Sequence, residues 1–278
     1  MSISLPTYTR RDMPLLGRGH RIRAIITSGL RREFKRPAAI VTVGVGTLIT
    51  TAWSIISVFF APFLLPGQPL DLSFFYTMAA NPAILFFVTL MASVIGSGLI
   101  ADDLDTMALS LYLSRPITHR DYLIAKAAIL VPLISMVAIF PLVLTPFLAA
   151  LLGRFSWVIV LQAIGLSLVI GLLLTAFYAS VSLFLSSITR RKSYAAAGVF
   201  AVTFGLTIPA EILSLATRNQ SLLYLSPWED FLAVARAAFG ASAGPIDWPG
   251  ALAILLGVTV LASLATYIRM RAVEVVSG

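Results

Sequence analysis

The sequence predicts an all-α membrane protein with six transmembrane helices, an expectation carried by composition, by the length of its apolar runs and by their texture. The 278 residues are 59% hydrophobic and only 12% charged, with a mean hydropathy of +0.95, whereas about a quarter of the residues of a soluble domain are charged. Uncharged windows run over 37–70, 72–101, 127–153, 155–189, 193–210 and 248–268. Each can hold the roughly 20 apolar helical residues that cross a hydrocarbon core of about 30 Å. The runs are continuously apolar rather than alternating, which argues against a membrane barrel.

The basic residues set the orientation. Nine of the twenty Lys and Arg precede the first run, three follow the second, three follow the fourth and two follow the sixth; only Arg154, Arg218 and Arg236 fall on the other side. The positive-inside bias places both termini and the 101–126 insert in the cytoplasm. The net charge of +8 then reads as a topology signal and an attraction to anionic headgroups, with no nucleic acid required. The first apolar run begins well beyond the short basic region of a cleaved signal, so the amino terminus is expected to stay. The absence of cysteine excludes disulfides, thiolate metal sites and cysteine nucleophiles.

Taken in order, residues 1–17 lack periodicity and read as a flexible cytosolic tail. Over 18–36, Ile22, Ile25, Ile26, Gly29 and Leu30 share a face opposite Thr27, Ser28, Arg31 and Lys35, the pattern of an amphipathic helix in the headgroup plane. Glu33 falls on its apolar side, where it either pairs with Arg32 or Arg36 or serves a subunit contact. Residues 37–278 form the six-span domain. The first span, about 38–60, carries Gly44 and Gly46, and the second, about 83–100, carries an Ala92-x-x-x-Gly96 pair suited to helix packing or a dimer seam. Pro132, Pro141 and Pro146 should bend or break the third, about 127–152. The fourth, about 157–186, is long enough to project beyond the bilayer, and the fifth reaches past Glu211 to about Ala216. Trp157, Tyr194, Trp248 and Tyr267 sit near span ends, as interfacial anchors do. The external segment, about 217–247, reads as a short re-entrant helical pair with Ser226 capping the second helix ahead of Pro227. No internal repeat is visible.

Chemistry is sparse. No phosphate-binding glycine loop occurs, and His20 and His119 have no second ligand at helical spacing, so neither nucleotide nor metal is expected on this chain. Asp102, Asp103 and Asp105 form the one acidic cluster and are placed at a helix amino terminus, where negative charge is favoured. Glu211 is the one acid within reach of a span; it either pairs with Arg218 or is solvated outside, or it contacts a substrate or gate. Tyr178 and Gln162 are weaker candidates for lining that path. The insert itself puts Leu104, Met107, Ala108, Leu111 and Tyr112 on one helical face, ends that helix at Pro116, and starts a new one with Thr118 and Asp121 as a capping-box variant.

These residues carry a resemblance. Ala101-Asp102-Asp103 through Leu113-Ser114-Arg115-Pro116-Ile117, then Arg120-Asp121-Tyr122-Leu123 and Lys126, closely resemble the stretch after the second span of ABC-2 type transporter permeases. Leu30-Arg31-Arg32-Glu33 with Pro37, and Leu225-Ser226-Pro227, resemble that family's interface helix and external segment. The likeness implies an ATP-driven exporter subunit of the prokaryotic cell membrane that pairs with a second permease copy or a paralogue and binds two separate ABC ATPase subunits, which hold ATP and Mg. It further implies a coupling helix at about 103–114, with coupling through 103–121. In that setting Asp103, Asp105, Met107, Ala108, Leu111 and Tyr112 face the ATPase while Arg115 and Arg120 make rim contacts. An ATP-independent carrier or channel and a membrane anchor are the competing classes. The cargo stays open, because the spans hold too little polarity to choose one.

Overall fold

The computed structural model describes residues 17–64, 71–108, 117–153 and 155–275, and every regular element among them is helical. Helix α1 (Arg18–Glu33) is followed by α2 (Pro37–Leu64), which opens on a proline that has no N–H to lose. A 3-10 turn (Leu72–Phe75) leads into the single turn α3 (Tyr76–Ala79). Asn81 then caps α4 (Pro82–Met91) by accepting from the Ala83 N–H at 2.9 Å. A π turn (Ala92–Gly96) joins α4 to α5 (Ser97–Asp105). After the insert come α6 (His119–Leu151), α7 (Trp157–Ile188) and α8 (Lys192–Thr217). A second 3-10 turn (Gln220–Leu225), α9 (Pro227–Phe239) and α10 (Trp248–Val275) complete the chain.

Six of these rods are long and apolar enough to cross a bilayer: Pro37–Phe60, Pro82–Asp105, His119–Leu151, Trp157–Ile188, Lys192–Thr217 and Trp248–Ala272. The protein is therefore a multi-pass membrane protein. Helices α6 and α7 form the central pair, with α10 against α7 and α2 against α6. The second span threads between them, 78% of its apolar window buried against 22% to 44% for the other five. Those five expose Leu48, Phe140, Leu161, Ile212 and Leu261 in turn, a surface that hydrocarbon covers at no cost and water would not.

Two features of the spans differ from the sequence expectation, the end of the second and the continuity of the third, while the capped start of the third agrees with it. The second span runs on to Asp105, so the acidic cluster sits at a helix carboxyl terminus and not at an amino terminus. The third begins at His119, because Thr118 and Asp121 form the reciprocal capping box, each side chain accepting the other's backbone N–H at 3.2 Å. It also runs unbroken through its three prolines. Pro141 and Pro146 deprive the carbonyls of Val137 and Leu142 of their helical donors. One residue before each of these, hydroxyls lend support: Thr47 donates to the Met136 carbonyl at 3.4 Å, and Ser54 and Thr145 donate to that of Pro141 at 3.2 and 2.8 Å. The Ala92–Gly96 pair is no dimer seam in this fold, since both residues are buried within the chain. A methyl on Gly96 would collide with the Ser182 hydroxyl of α7.

The end opposite the basic residues is closed by the short elements. Phe74 and Phe75 pack on Phe155 with ring centroids 5.6 and 4.9 Å apart, and Trp228 stacks on Phe231 at 5.3 Å. Ser226 caps α9 by accepting from the Glu229 N–H at 3.1 Å, and Gly240 ends it at φ +67°, a conformation open to glycine. Over 217–247 the chain forms the second 3-10 turn and α9, and Phe231 and Phe239 are buried in protein instead of dipping into lipid. The partner element at 72–79 had no counterpart in the sequence reading.

Candidate functional site

Three elements meet at the basic end: α1, the foot of α5 and the start of α6. Asp103 lies in the last turn of α5, where unsatisfied carbonyls make a carboxylate unwelcome. Its Oδ2 is met by the Lys126 ammonium at 2.6 Å and accepts the Tyr122 hydroxyl at 2.7 Å. Both α6 residues lie one helical turn apart and so share a face. The Lys126 and Asp103 side chains are only 3% and 4% exposed, so the pair is held where attraction is strong and the penalty for losing either partner is large.

A second set of charges lies alongside. Glu33, at the end of α1, is 1% exposed and lies between Arg32 at 3.3 Å and Arg36 at 3.0 Å. Arg36 also reaches Asp102 on α5 at 3.5 Å. The local pairing of Glu33 with Arg32 and Arg36 is thus formed within the chain. Ile25, Gly29 and Glu33 follow one another at four-residue spacing on the face of α1 turned to α6, and a methyl on Gly29 would strike Ile129. The other end of α1 is tied down by Arg18, whose Nε and Nη2 donate to Asp121 at 3.0 and 2.6 Å. Asp121 holds the exposed Arg18 guanidinium above its ordinary pKa through that hydrogen bond and its charge. Helix α1 is therefore fastened to α6 at one end directly, and at the other through Arg36 and the foot of α5.

The insert begins abruptly. Thr106 and Met107 form a turn, with Met107 in the left-handed region at φ +54° and its side chain 70% exposed. A methionine is strained there, and the helix of α5 cannot pass through it. Residues 103–105 thus belong to the second span, and Leu104 and Met107 are not on one continuous helix face. Asp105 is exposed and Ala108 half-buried. Leu111, Tyr112 and Arg115 lie outside the described residues. Arg120 lies over the ring of Tyr267 on α10 at 5.5 Å, with Arg271 on the same ring at 5.9 Å.

Above this junction α5 is stitched to α7. The Ser186 hydroxyl accepts from the N–H groups of Ile100 and Ala101 at 3.0 and 2.9 Å and donates to the Ser97 carbonyl at 2.6 Å. One donor and two acceptor sites are all a hydroxyl has, so Ser186 is fully used. Ser182 donates to the Ala92 carbonyl at 2.9 Å, at the start of the π turn. A side chain inserted in the backbone ladder next to a π turn is a physical cause of a local joint in a helix.

The pathway candidates do not converge. Tyr178 is buried, accepts from the Thr89 hydroxyl at 3.1 Å and fills the core. Gln162 is exposed on the same helix, sixteen residues or about 24 Å away. Glu211 is exposed on α8, and among the described residues it makes no ion pair, so the expected partner Arg218 is not engaged. The sequence names Asp102, Arg36, Asp121, Tyr122 and Lys126 without pairing them across elements, and passes over Arg18, Ser182 and Ser186; the fold brings these residues together. A lysine one turn inside an apolar run, four residues after a tyrosine, was the available signal for the first buried pair. Ser182 and Ser186, spaced to share a face of α7, were the signal for the second contact.

Residues 68–274 match the family described as ABC-2 family transporter protein. The chain belongs to the ABC-2 family. Its match takes in the joint of the second span, the insert and the closed far end, and starts after α1 and α2. A comparison with curated proteins returns no match. As an ABC-2 family protein the chain is a membrane component of a transporter, of a kind that associates with ABC ATPases.

Proposed function

We propose that this ABC-2 protein is the permease subunit of an ATP-driven exporter in a prokaryotic cell membrane. Its basic end and both termini face the cytoplasm, it forms its pathway as a dimer with a second copy or a paralogue, and two separate ATPase subunits supply ATP, Mg and hydrolysis. The observation that supports this reading most directly is the anchoring of the insert. Asp103 on its upstream flank and Lys126 on its downstream flank form one buried pair, so force applied between them is passed to the second and third spans together. Met107, Ala108, Leu111 and Tyr112 dock on the ATPase, with Asp105 at the base of the contact and Arg115 and Arg120 at its rim, while Asp103, buried against Lys126, couples the contact to the third span. Helix α1 lies in the headgroup plane and follows the insert's motion through Arg18–Asp121 and Arg36–Asp102.

The test is affinity purification of the tagged full chain in mild detergent, followed by reconstitution. A stoichiometric ATPase should copurify, and Leu111→Asp should leave ATP hydrolysis running without transport. A chain that exchanges or conducts solute alone would instead establish an ATP-independent carrier or channel.

A further inference from the structure

The first turn of α9 carries two acids, Glu229 and Asp230, with different surroundings. Glu229 stands 3.9 Å from Arg236, whose guanidinium lies over the Tyr76 ring at 5.6 Å. Asp230 turns the other way and is 0% exposed, with Phe231 and Phe239 of the same helix equally enclosed. Neither of its carboxylate oxygens has a hydrogen-bond partner among the described residues. Among the described residues, those of the elements packed on α9 included, no cation forms an ion pair or hydrogen bond with it. Tyr76 comes from α3, Tyr224 from the second 3-10 turn and Glu211 from α8, with Asp71 capping the first 3-10 turn and Asp247 leading into α10; Arg236, on α9 itself, serves Glu229 and Tyr76. An ionised carboxylate sealed in this way would lack every compensation that makes buried charge tolerable. A metal ion is not the answer, because among the described residues no three His, Cys, Asp or Glu side chains gather to hold one.

We propose that Asp230 is a proton-binding site at the far end of the bundle: its carboxyl is neutral while α9 is packed, and it gives the proton to water when α9 lifts from α10. The step breaks one carboxyl O–H bond and leaves a solvated carboxylate. Burial, reinforced by the neighbouring Glu229 charge, pushes this carboxyl up to about 8, so release falls close to physiological pH. The proposal stands on the packing of α9 alone and is independent of the transport reading.

The test uses the full chain in lipid nanodiscs with isotope-labelled aspartate, followed by infrared spectroscopy as pH is raised from about 6 to about 10. A protonated aspartyl band should be present at neutral pH and vanish with a midpoint of roughly 7 to 9, and it should be missing from Asp230→Asn and kept in Glu229→Gln. Thermal unfolding gives a second readout. A carboxyl whose folded pKa lies above its unfolded value adds stability that is complete below the unfolded pKa and lost as pH climbs through the folded one. Wild type should therefore lose melting temperature relative to Asp230→Asn between about pH 4 and about pH 8, and level off above. No protonated aspartyl band in wild type at neutral pH, or a band that survives in Asp230→Asn, overturns the proposal. So do parallel melting profiles for the two proteins. The labelled wild-type spectrum decides the matter even if the variant fails to fold.

Discussion

The ammonium of Lys126 lies 2.6 Å from the carboxylate of Asp103, with neither side chain more than 4% exposed. Removing one charge strands the other. Lys126→Met and Asp103→Asn should each destabilise the protein by about 3–5 kcal/mol, whereas the double variant should recover most of that loss. Thermal unfolding in nanodiscs measures the cycle; a double variant no better than the worse single would show that the pair is not an isolated unit.

Arg18 and Asp121 present the opposite case, with one partner 66% and the other 3% exposed. A pair this open to solvent is worth at most about 1 kcal/mol, so Arg18→Ala should barely move the melting temperature. It should, however, free one end of α1. Hydrogen exchange over residues 18–28 should quicken while α6 stays protected, and high salt should reproduce the effect in wild type. Asp121→Ala should cost more, because it also removes one half of the capping box.

The stitch between α5 and α7 should be sensitive to single atoms. Ser186→Ala removes the acceptor for two buried amides and should cost about 1–3 kcal/mol. Gly96→Ala drives a methyl into the Ser182 hydroxyl and should cost a similar amount. Ser182→Gly should partly rescue Gly96→Ala and leave Ser186→Ala unrescued. Equal rescue of both would mean that the two serines act through one common loosening of the helix pair.

Hydroxyls of α2 that serve carbonyls of α6 offer a further check. Ser54, buried and donating to both Thr50 and Pro141 carbonyls, should be the more costly loss. Ser54→Ala is expected to destabilise by about 1 kcal/mol, and Thr47→Ala, whose bond is longer and exposed, by a few tenths. Urea or thermal denaturation of the two variants in matched nanodiscs would rank them.

The six crossings were readable because a bilayer demands long uncharged runs, and those runs stand out at 37–70 and onward without any knowledge of packing. Caps were readable for the same local reason: Thr118 with Asp121, and Ser226 before Pro227, act within one turn of chain. The acidic cluster was misplaced because local charge preference favours a helix start, while α5 in fact ends there and Lys126 and Arg36 supply the compensation from distant segments. The prolines of α6 misled in a similar way, since whether a proline breaks a helix is decided by the packing of distant segments around it, here α2 and α7. Asp230 goes unremarked in the sequence, because only the short elements packed around it seal it from water.

Ala101 N–H and Ser97 C=O pair directly in an α-helix, and in this protein the Ser186 hydroxyl bonds to both of them. Should α7 withdraw that hydroxyl, the two backbone groups have each other to fall back on, and neither is left orphaned. The second crossing is thus held at one turn by a neighbour's side chain as well as by its own ladder, so the same hydroxyl that fastens it to α7 also shields its backbone from being left bare.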